Sequence, residues 1–147
     1  MDSVLRVLDK IEHMITVVYC TRKPNRKHFD HIKKTSGLAS KIEIIEIVNE
    51  GESLTKAYNR GLKQATNDIV VFCHDDIAFT KDGWGRKLIK HFDNSDFGIL
   101  GIAGTTHMHE SGRWWTDPSK MVGIVKHSHD GKSWLSKNSG NFTDRII

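Results

Sequence analysis

The sequence predicts an α/β fold, a three-layer α/β/α sandwich built on a mostly parallel, Rossmann-like sheet, with an irregular or β-hairpin C-terminal part. Three observations carry that expectation. Strand-like and helix-like segments alternate from Met14 to about Ala103, as in βαβ units laid side by side. The run Ile69-Val70-Val71-Phe72 is β-branched and aromatic without alternation, which suits a central strand covered on both faces. Beyond Gly104 the alternation stops, and His129-Asp130-Gly131 is a hairpin-type turn signal.

In chain order, Val4, Leu8 and Ile11 fall on one stripe and predict a short helix over Asp2 to His13. Met14 to Cys20, MITVVYC, predicts the first strand, bounded by the turn Thr21 to Asn25 with Pro24. Arg26 to Thr35 predicts a helix anchored by Phe29 and Ile32 and ended by Ser36-Gly37. Lys41 to Val48, KIEIIEIV, reads as a strand less central than the IVVF run, because Glu43 and Glu46 interrupt it. Asn49-Glu50-Gly51 is a turn leading into the next helix, whose apolar stripe is Leu54, Ala57, Tyr58, Leu62 and Ala65. After the strand Asp68 to Cys73, a helix over Lys81 to Phe92 carries Trp84, Leu88, Ile89 and Phe92. Further strands are expected at Phe97 to Ala103 and Met121 to His127.

A chain of 147 residues is long enough for one domain with a real core and short for two. We expect a single domain over residues 1–147. Its 37% hydrophobic and 27% charged content excludes a disordered or fibrous class. No apolar run is long enough to span a membrane and no leader pattern opens the chain, so a cytoplasmic protein is expected. Cys20 and Cys73 end predicted strands and read as buried thiols rather than a disulfide. Lys and Arg outnumber Asp and Glu by 22 to 18, a weak preference for an anionic partner. The basic stretch Thr21 to Lys34 reads either as the phosphate side of a nucleotide site, as a nucleic-acid patch, or as a solvated helix face.

The chemistry concentrates where the buried strand gives way to His74-Asp75-Asp76, since open α/β sheets bind ligands at the carboxyl ends of their strands. Two carboxylates there can hold a hard divalent cation that also takes phosphate oxygens, Mg²⁺ or Mn²⁺. They can equally cap the following turn. Thr21, Arg22, Asn49, Gly51 and Asn59 lie at neighbouring strand ends or on the preceding helix, so several polar groups could converge on one ligand. His107 and His109, and again His127 and His129, are spaced by two; a zinc site is conceivable, but a structural or exposed role is favoured. Trp114-Trp115 beside Arg113 could stack on sugar faces, although closing a core is the favoured reading.

Three segments, MITVVYCTRK, then NEGESLTKAYNRGLKQATNDIVVFCHDDIAF, then FGILGIAGTTHMHESGRWW, resemble the nucleotide-binding half of a GT-A glycosyltransferase of the family 2 type. The likeness covers roughly residues 14 to 115, and its specific part is a segment N-x-G-x-S-x-x-x-A-x-N-x-G-x-x-x-A before a strand ending in D-x-D. Asn49, Gly51, Ser53, Ala57, Asn59, Gly61 and Ala65 occupy its places. The resemblance implies a nucleotide diphosphate sugar donor, bound by Thr21, Arg22, Asn49, Gly51, Asn59, His74 and Asp75. It also implies a metal held by Asp76 with Asp75 beside it. His74 stands where the motif has its first Asp, and Cys20-Thr21-Arg22-Lys23 replaces the usual P-T-Y-N strand end, so Arg22 takes the place of a base-stacking tyrosine.

The resemblance thus implies a metal-dependent glycosyltransferase acting on an unknown acceptor, a glycan, lipid or protein. No residue is identified as the catalytic base; Glu110, Asp117, Asp130 and Asp144 are the acidic residues left after the last predicted sheet strand. The chain is expected to stop short of the acceptor-binding half, and self-association through apolar surface near Trp114 and Trp115 is expected to follow. A non-catalytic nucleotide-sugar-binding module is the alternative. Nucleic-acid binding ranks last, since only Phe29 interleaves the basic stretch.

Overall fold

A computed structural model describes residues 15–93, 98–113 and 115–138. The helix expected over Asp2 to His13, as well as Trp114 and Asp144, lies outside these residues. The chain divides into two compact units, one within Met1–Asp96 and one within Phe97–Ile147.

The first unit is built around β1 (Ile15–Thr21), in which every residue is buried. It pairs in parallel with β2 (Ile42–Val48) on one edge and with β3 (Val70–His74) on the other, giving the order β2-β1-β3. Between them run α1 (Arg26–Thr35) and α2 (Leu54–Leu62), and α3 (Trp84–Asp93) follows β3. Successive strand residues point to opposite faces. Val18 and Cys20 form a core cluster with Ile47 and Ala57 of α2, while Tyr19, one residue out of phase, meets His28 of α1 edge-on at 4.7 Å. The two helices therefore cover opposite faces. Right-handed crossovers in opposite directions from β1 dictate that arrangement.

This α/β architecture is the expected one, with two local differences. The IVVF strand lies at an edge of the described sheet, and its Phe72 is 47% exposed; the strand covered on all sides is β1. An apolar run records burial of its faces but not which strand is central. Residues 98–102 form no strand, and Ile99 and Ile102 there are exposed. Instead β4 (Ala103–Thr105) pairs antiparallel with β5 (Met121–His129) in the second unit, so the parallel order does not continue into it.

Helix seams also differ from the sequence pattern in detail. In α1 the buried stripe is His28, Ile32 and Thr35, spaced by four and three, and Phe29 is partly buried with Arg26 stacked over its ring. In α2 the buried residues are Ala57 and Gly61, while Leu54 and Leu62 are half exposed. The cause is close approach. A Cβ at Gly61 would lie 2.3 Å from Val18 Cγ1 and 3.3 Å from Ile47 Cγ1, so the helix rests on β1 through its smallest residues and leucines fall outside the seam. Tyr58 closes one side, its hydroxyl donating to the Cys73 carbonyl at 2.8 Å and its ring meeting Phe72 edge-on.

The amino end of the sheet is tied by Glu43. Its carboxylate accepts from the Thr16 hydroxyl and from the backbone N–H and hydroxyl of Thr66, and Asn67 Nδ2 donates to Thr16 Oγ1 at 2.9 Å. The buried threonine is thereby satisfied. α3 docks on the end of α1: Trp84 Nε1 donates to Thr35 Oγ1 at 3.0 Å, and its ring stacks on Phe79.

The second unit is a sheet of order β4-β5-β6, with β6 spanning Lys132–Asn138 and a 3-10 turn at Pro118–Lys120. Asp130 and Gly131 join β5 to β6 with φ of 48° and 74°, the two positive values of a type I′ turn. The Asp-Gly signal is thus realised as a two-residue hairpin.

Substituting Gly61→Ala is expected to destabilise the protein. Overpacking at such a contact costs about 1–3 kcal/mol, against a gain of about 1 kcal/mol in helix propensity. A urea titration reads the change, and in a Val18→Ala background the same substitution should become neutral or stabilising. Stabilisation by Gly61→Ala in the wild-type background would contradict the close seam.

Candidate functional site

The strand order β2-β1-β3 means that the chain leaves β1 toward one side and returns to the other, so the topological switch lies between β1 and β3. In open α/β sheets the carboxyl ends of the strands flanking such a switch are where ligands bind. Cys20 pairs with His74 in the register, which sets Thr21-Arg22-Lys23 against His74-Asp75-Asp76 across the switch.

Asp75 sits at the crossing point. Its charge acts on Tyr19 and Cys20 of β1, Cys73 of β3, His28 of α1 and Tyr58 of α2. Asp76 is more exposed, and its charge acts on His28 and Tyr58. Burial and then the neighbouring charges push both tyrosines up, Tyr58 to about 12. Burial, then Cys20 and Asp75, push the Cys73 thiol to about 12, and burial also raises Cys20. Both cysteines are free, buried and protonated at neutral pH, as expected of core thiols. That leaves the carboxylates and the His74 imidazole, not the thiols, for a cation at this end of the sheet.

Among the described residues no three His, Cys, Asp or Glu side chains converge as a ligand set. Two consecutive carboxylates nevertheless suit Mg²⁺ or Mn²⁺, since such ions take one or two protein carboxylates and fill the other positions from water and phosphate. Soft-metal coordination finds no thiolate here.

The remaining sequence-predicted residues fall as follows. Thr21 is buried and its hydroxyl donates to the Lys23 carbonyl at 2.8 Å, while its own carbonyl accepts from Asn49 N–H. Arg22 is exposed. Asn49 shapes the loop before α2: its Oδ1 accepts from the N–H groups of Gly51 and Glu52, and its Nδ2 donates to the Glu52 carbonyl. Gly51 occupies φ of 114° with open space around it, and Ser53 caps α2. Thr21, Arg22, Asn49, Gly51, His74, Asp75 and Asp76 therefore share the carboxyl edge of the sheet. Asn59 is exposed five residues into α2, roughly 7.5 Å along the helix from its start.

Sequence reasoning missed a set of residues beneath this edge. Asn25 caps α1 by accepting from His28 N–H at 3.1 Å, and its Nδ2 reaches the Asp75 carbonyl at 3.4 Å. Glu46 Oε1 accepts from Asn25 N–H at 2.7 Å and from the Tyr19 hydroxyl at 2.8 Å. His28 is only 6% exposed, and its ring lies beside the His74 backbone. Its Nε2 is buried without a partner among the described residues. The signals existed: Pro24-Asn25 before a helix is a capping pattern, and His28 begins the stripe that continues at Ile32 and Thr35. They were absorbed into a reading of the stretch as basic surface.

The paired histidines of the second unit have separate partners. His109 Nδ1 meets Ser111, His127 stacks on Trp134 at 5.0 Å and bonds Ser136, and His129 pairs with Asp130. Trp115 is 57% exposed.

Burial holds His28 below its ordinary value, partly offset by Asp75, with His31 lowering it further and Asp76 raising it. A depressed folded-state value means that the unfolded chain takes up the proton first as pH falls. Stability from the neutral ring is therefore present above about pH 6.5 and lost as pH drops through the folded-state value. A His28→Gln variant should lose less stability than wild type between about pH 7.5 and pH 5, as read by denaturant titration; equal losses would contradict a buried neutral imidazole.

No helix of the described residues is long and apolar enough to cross a membrane. No curated protein and no solved structure matches the chain. The sequence profile of a family described as glycosyltransferase-like matches residues 16–145, a span that takes in the parallel sheet, the acidic strand end and the hairpin. With that match over most of its length, and an α/β fold that presents an Asp-Asp pair at the switch of its sheet, the chain belongs to the glycosyltransferase-like family.

Proposed function

We propose that this protein transfers a sugar from a nucleotide diphosphate sugar to an acceptor, with a divalent cation held by Asp76 and Asp75. The observation that carries the reading is the juxtaposition of opposite charge across the switch. Arg22 and Lys23 follow β1, while Asp75 and Asp76 follow β3, just past the last paired residues Cys20 and His74. A nucleotide diphosphate suits both kinds of group, cations for its phosphates and carboxylates that would hold an accompanying divalent ion. A Mg²⁺ or Mn²⁺ ion held by Asp76 and Asp75 would supply positive charge for the departing diphosphate.

The chain's own residues divide the remaining work. Asn49 and Gly51 hold open the loop that leads to the amino terminus of α2, whose dipole favours negative charge at this edge. Arg22 is free to stack on a base or pair with phosphate. His74, exposed at the end of β3 on the α2 face, is in position to meet the ribose or the metal. The thiols beneath are neutral and apolar in effect, so they lower the local dielectric without competing for the cation. The acceptor, a glycan, lipid or protein, and the base that takes its proton carry no assignment. Cytoplasmic localisation remains part of this proposal, and so does self-association.

Calorimetric titration with UDP and with GDP, each with and without Mn²⁺, tests the reading. Binding of one nucleotide that requires Mn²⁺ and weakens at least about tenfold in Asp76→Ala is expected. Metal-independent binding that survives the substitution, or no binding of either nucleotide, would contradict it.

A further inference from the structure

The two carboxylates lie just past the last residue of β3, where no further ladder partner among the described residues fixes their backbone. What grips that backbone comes from α1. Asn25 Nδ2 donates to the Asp75 carbonyl at 3.4 Å, and the His28 ring lies beside the His74 backbone, within reach of it as a donor. Both donors belong to the cap and first turn of one helix, and both are themselves held. Asn25 Oδ1 and carbonyl oxygen accept the N–H groups of His28 and Phe29. Its own N–H is anchored on Glu46, which also receives the Tyr19 hydroxyl. Tyr19 in turn packs edge-on against the His28 ring. Glu46, Tyr19, Asn25 and His28 thus form one closed set linking β2, β1 and α1 to the end of β3.

We propose that Asn25 and His28 are positioning residues: through the carbonyls of Asp75 and His74 they fix the orientation in which the Asp75 and Asp76 carboxylates meet a divalent cation and its diphosphate. The inference rests on the donor-site reading above. Its physical basis is that a metal ion with near-octahedral demands tolerates little misplacement of its ligands. A strand end held on one side only does not supply that order by itself. Ligand residues in metal sites are commonly oriented by such outer partners, whose loss weakens binding without removing a ligand.

The two functions of Asn25 can be separated. Asn25→Ser keeps a good helix cap but cannot reach the Asp75 carbonyl. Its thermal stability should stay near wild type, while the affinity for Mn²⁺ with UDP or GDP, whichever binds, falls roughly five- to tenfold. His28→Leu should weaken binding to a similar degree, and His28→Gln, which restores a donor toward the His74 carbonyl, should recover most of it. The electron paramagnetic resonance spectrum of the bound Mn²⁺ should broaden in Asn25→Ser and not in His28→Gln, a change that altered stability alone does not produce.

Wild-type affinity and an unchanged spectrum in Asn25→Ser and His28→Leu, alongside lost binding in Asp76→Ala, would overturn the positioning role and leave the donor site standing. Absence of metal-dependent nucleotide binding in the wild type would overturn the donor site and this inference with it.

Discussion

Complete burial of β1 is the constraint on which the first unit depends. A strand with all seven residues inside must be paired on both edges and covered on both faces. Pairing on both edges gives the order β2-β1-β3, and covering both faces draws α1 and α2 to opposite sides. The reversal of direction this requires puts the topological switch of the sheet between β1 and β3. Polar groups on the carboxyl edge are a consequence, because the loops there can be solvated while the strands behind them cannot. Thr16 is the polar exception inside β1, and Glu43 and Asn67 satisfy it at the far end.

Charge at the carboxyl edge is ordered in depth. At the surface stand Arg22, Lys23, His74 and Asp76. Below them Asp75 is partly buried, and below that lie neutral groups whose protonation burial fixes: the Cys73 thiol, the hydroxyls of Tyr19 and Tyr58, and the unprotonated His28 ring. Neutral polar groups under a charged rim can orient the rim through hydrogen bonds, and the Glu46 carboxylate beside them is taken up by the Tyr19 hydroxyl and the Asn25 N–H. The arrangement links the core to the chemistry of the edge: the helix cap that makes α1 start at Arg26 also touches the backbone of Asp75.

Much of this was legible in the sequence. Unalternating β-branched runs locate β1 and β3, an isoleucine-rich run interrupted by Glu43 and Glu46 locates β2, and the Asp-Gly turn locates the hairpin, since each depends on local chemistry. Which strand is central was not legible, because it depends on pairing between segments distant in sequence; the IVVF run and MITVVYC look equally buried until their partners are known. FGILGIA is a similar case, apolar enough for a strand yet exposed at Ile99 and Ile102, with β4 beginning only at Ala103. At the site, the acidic pair and the Asn49-Gly51 turn follow from motif and turn chemistry. Asn25, His28 and Glu46 escaped because their importance lies in whom they touch, across separations of up to 50 residues. Gly61 was placed by resemblance alone; the contact with Val18 supplies its physical reason.

The central claim is that the carboxyl edge of the sheet between β1 and β3 is where this glycosyltransferase-like chain holds its ligand. Broadening of backbone amide NMR signals by Mn²⁺ in the presence of UDP or GDP tests it most directly. Signals of Thr21, Arg22, Lys23, Asn25 and residues 74–77 should be lost at the lowest metal additions. Those of Thr66 and Asn67, tied to Glu43 and Thr16 at the opposite end of the sheet, roughly 20 Å away, should persist. Broadening centred on His107, His109, His127 and His129, with residues 74–77 unaffected, would contradict the account.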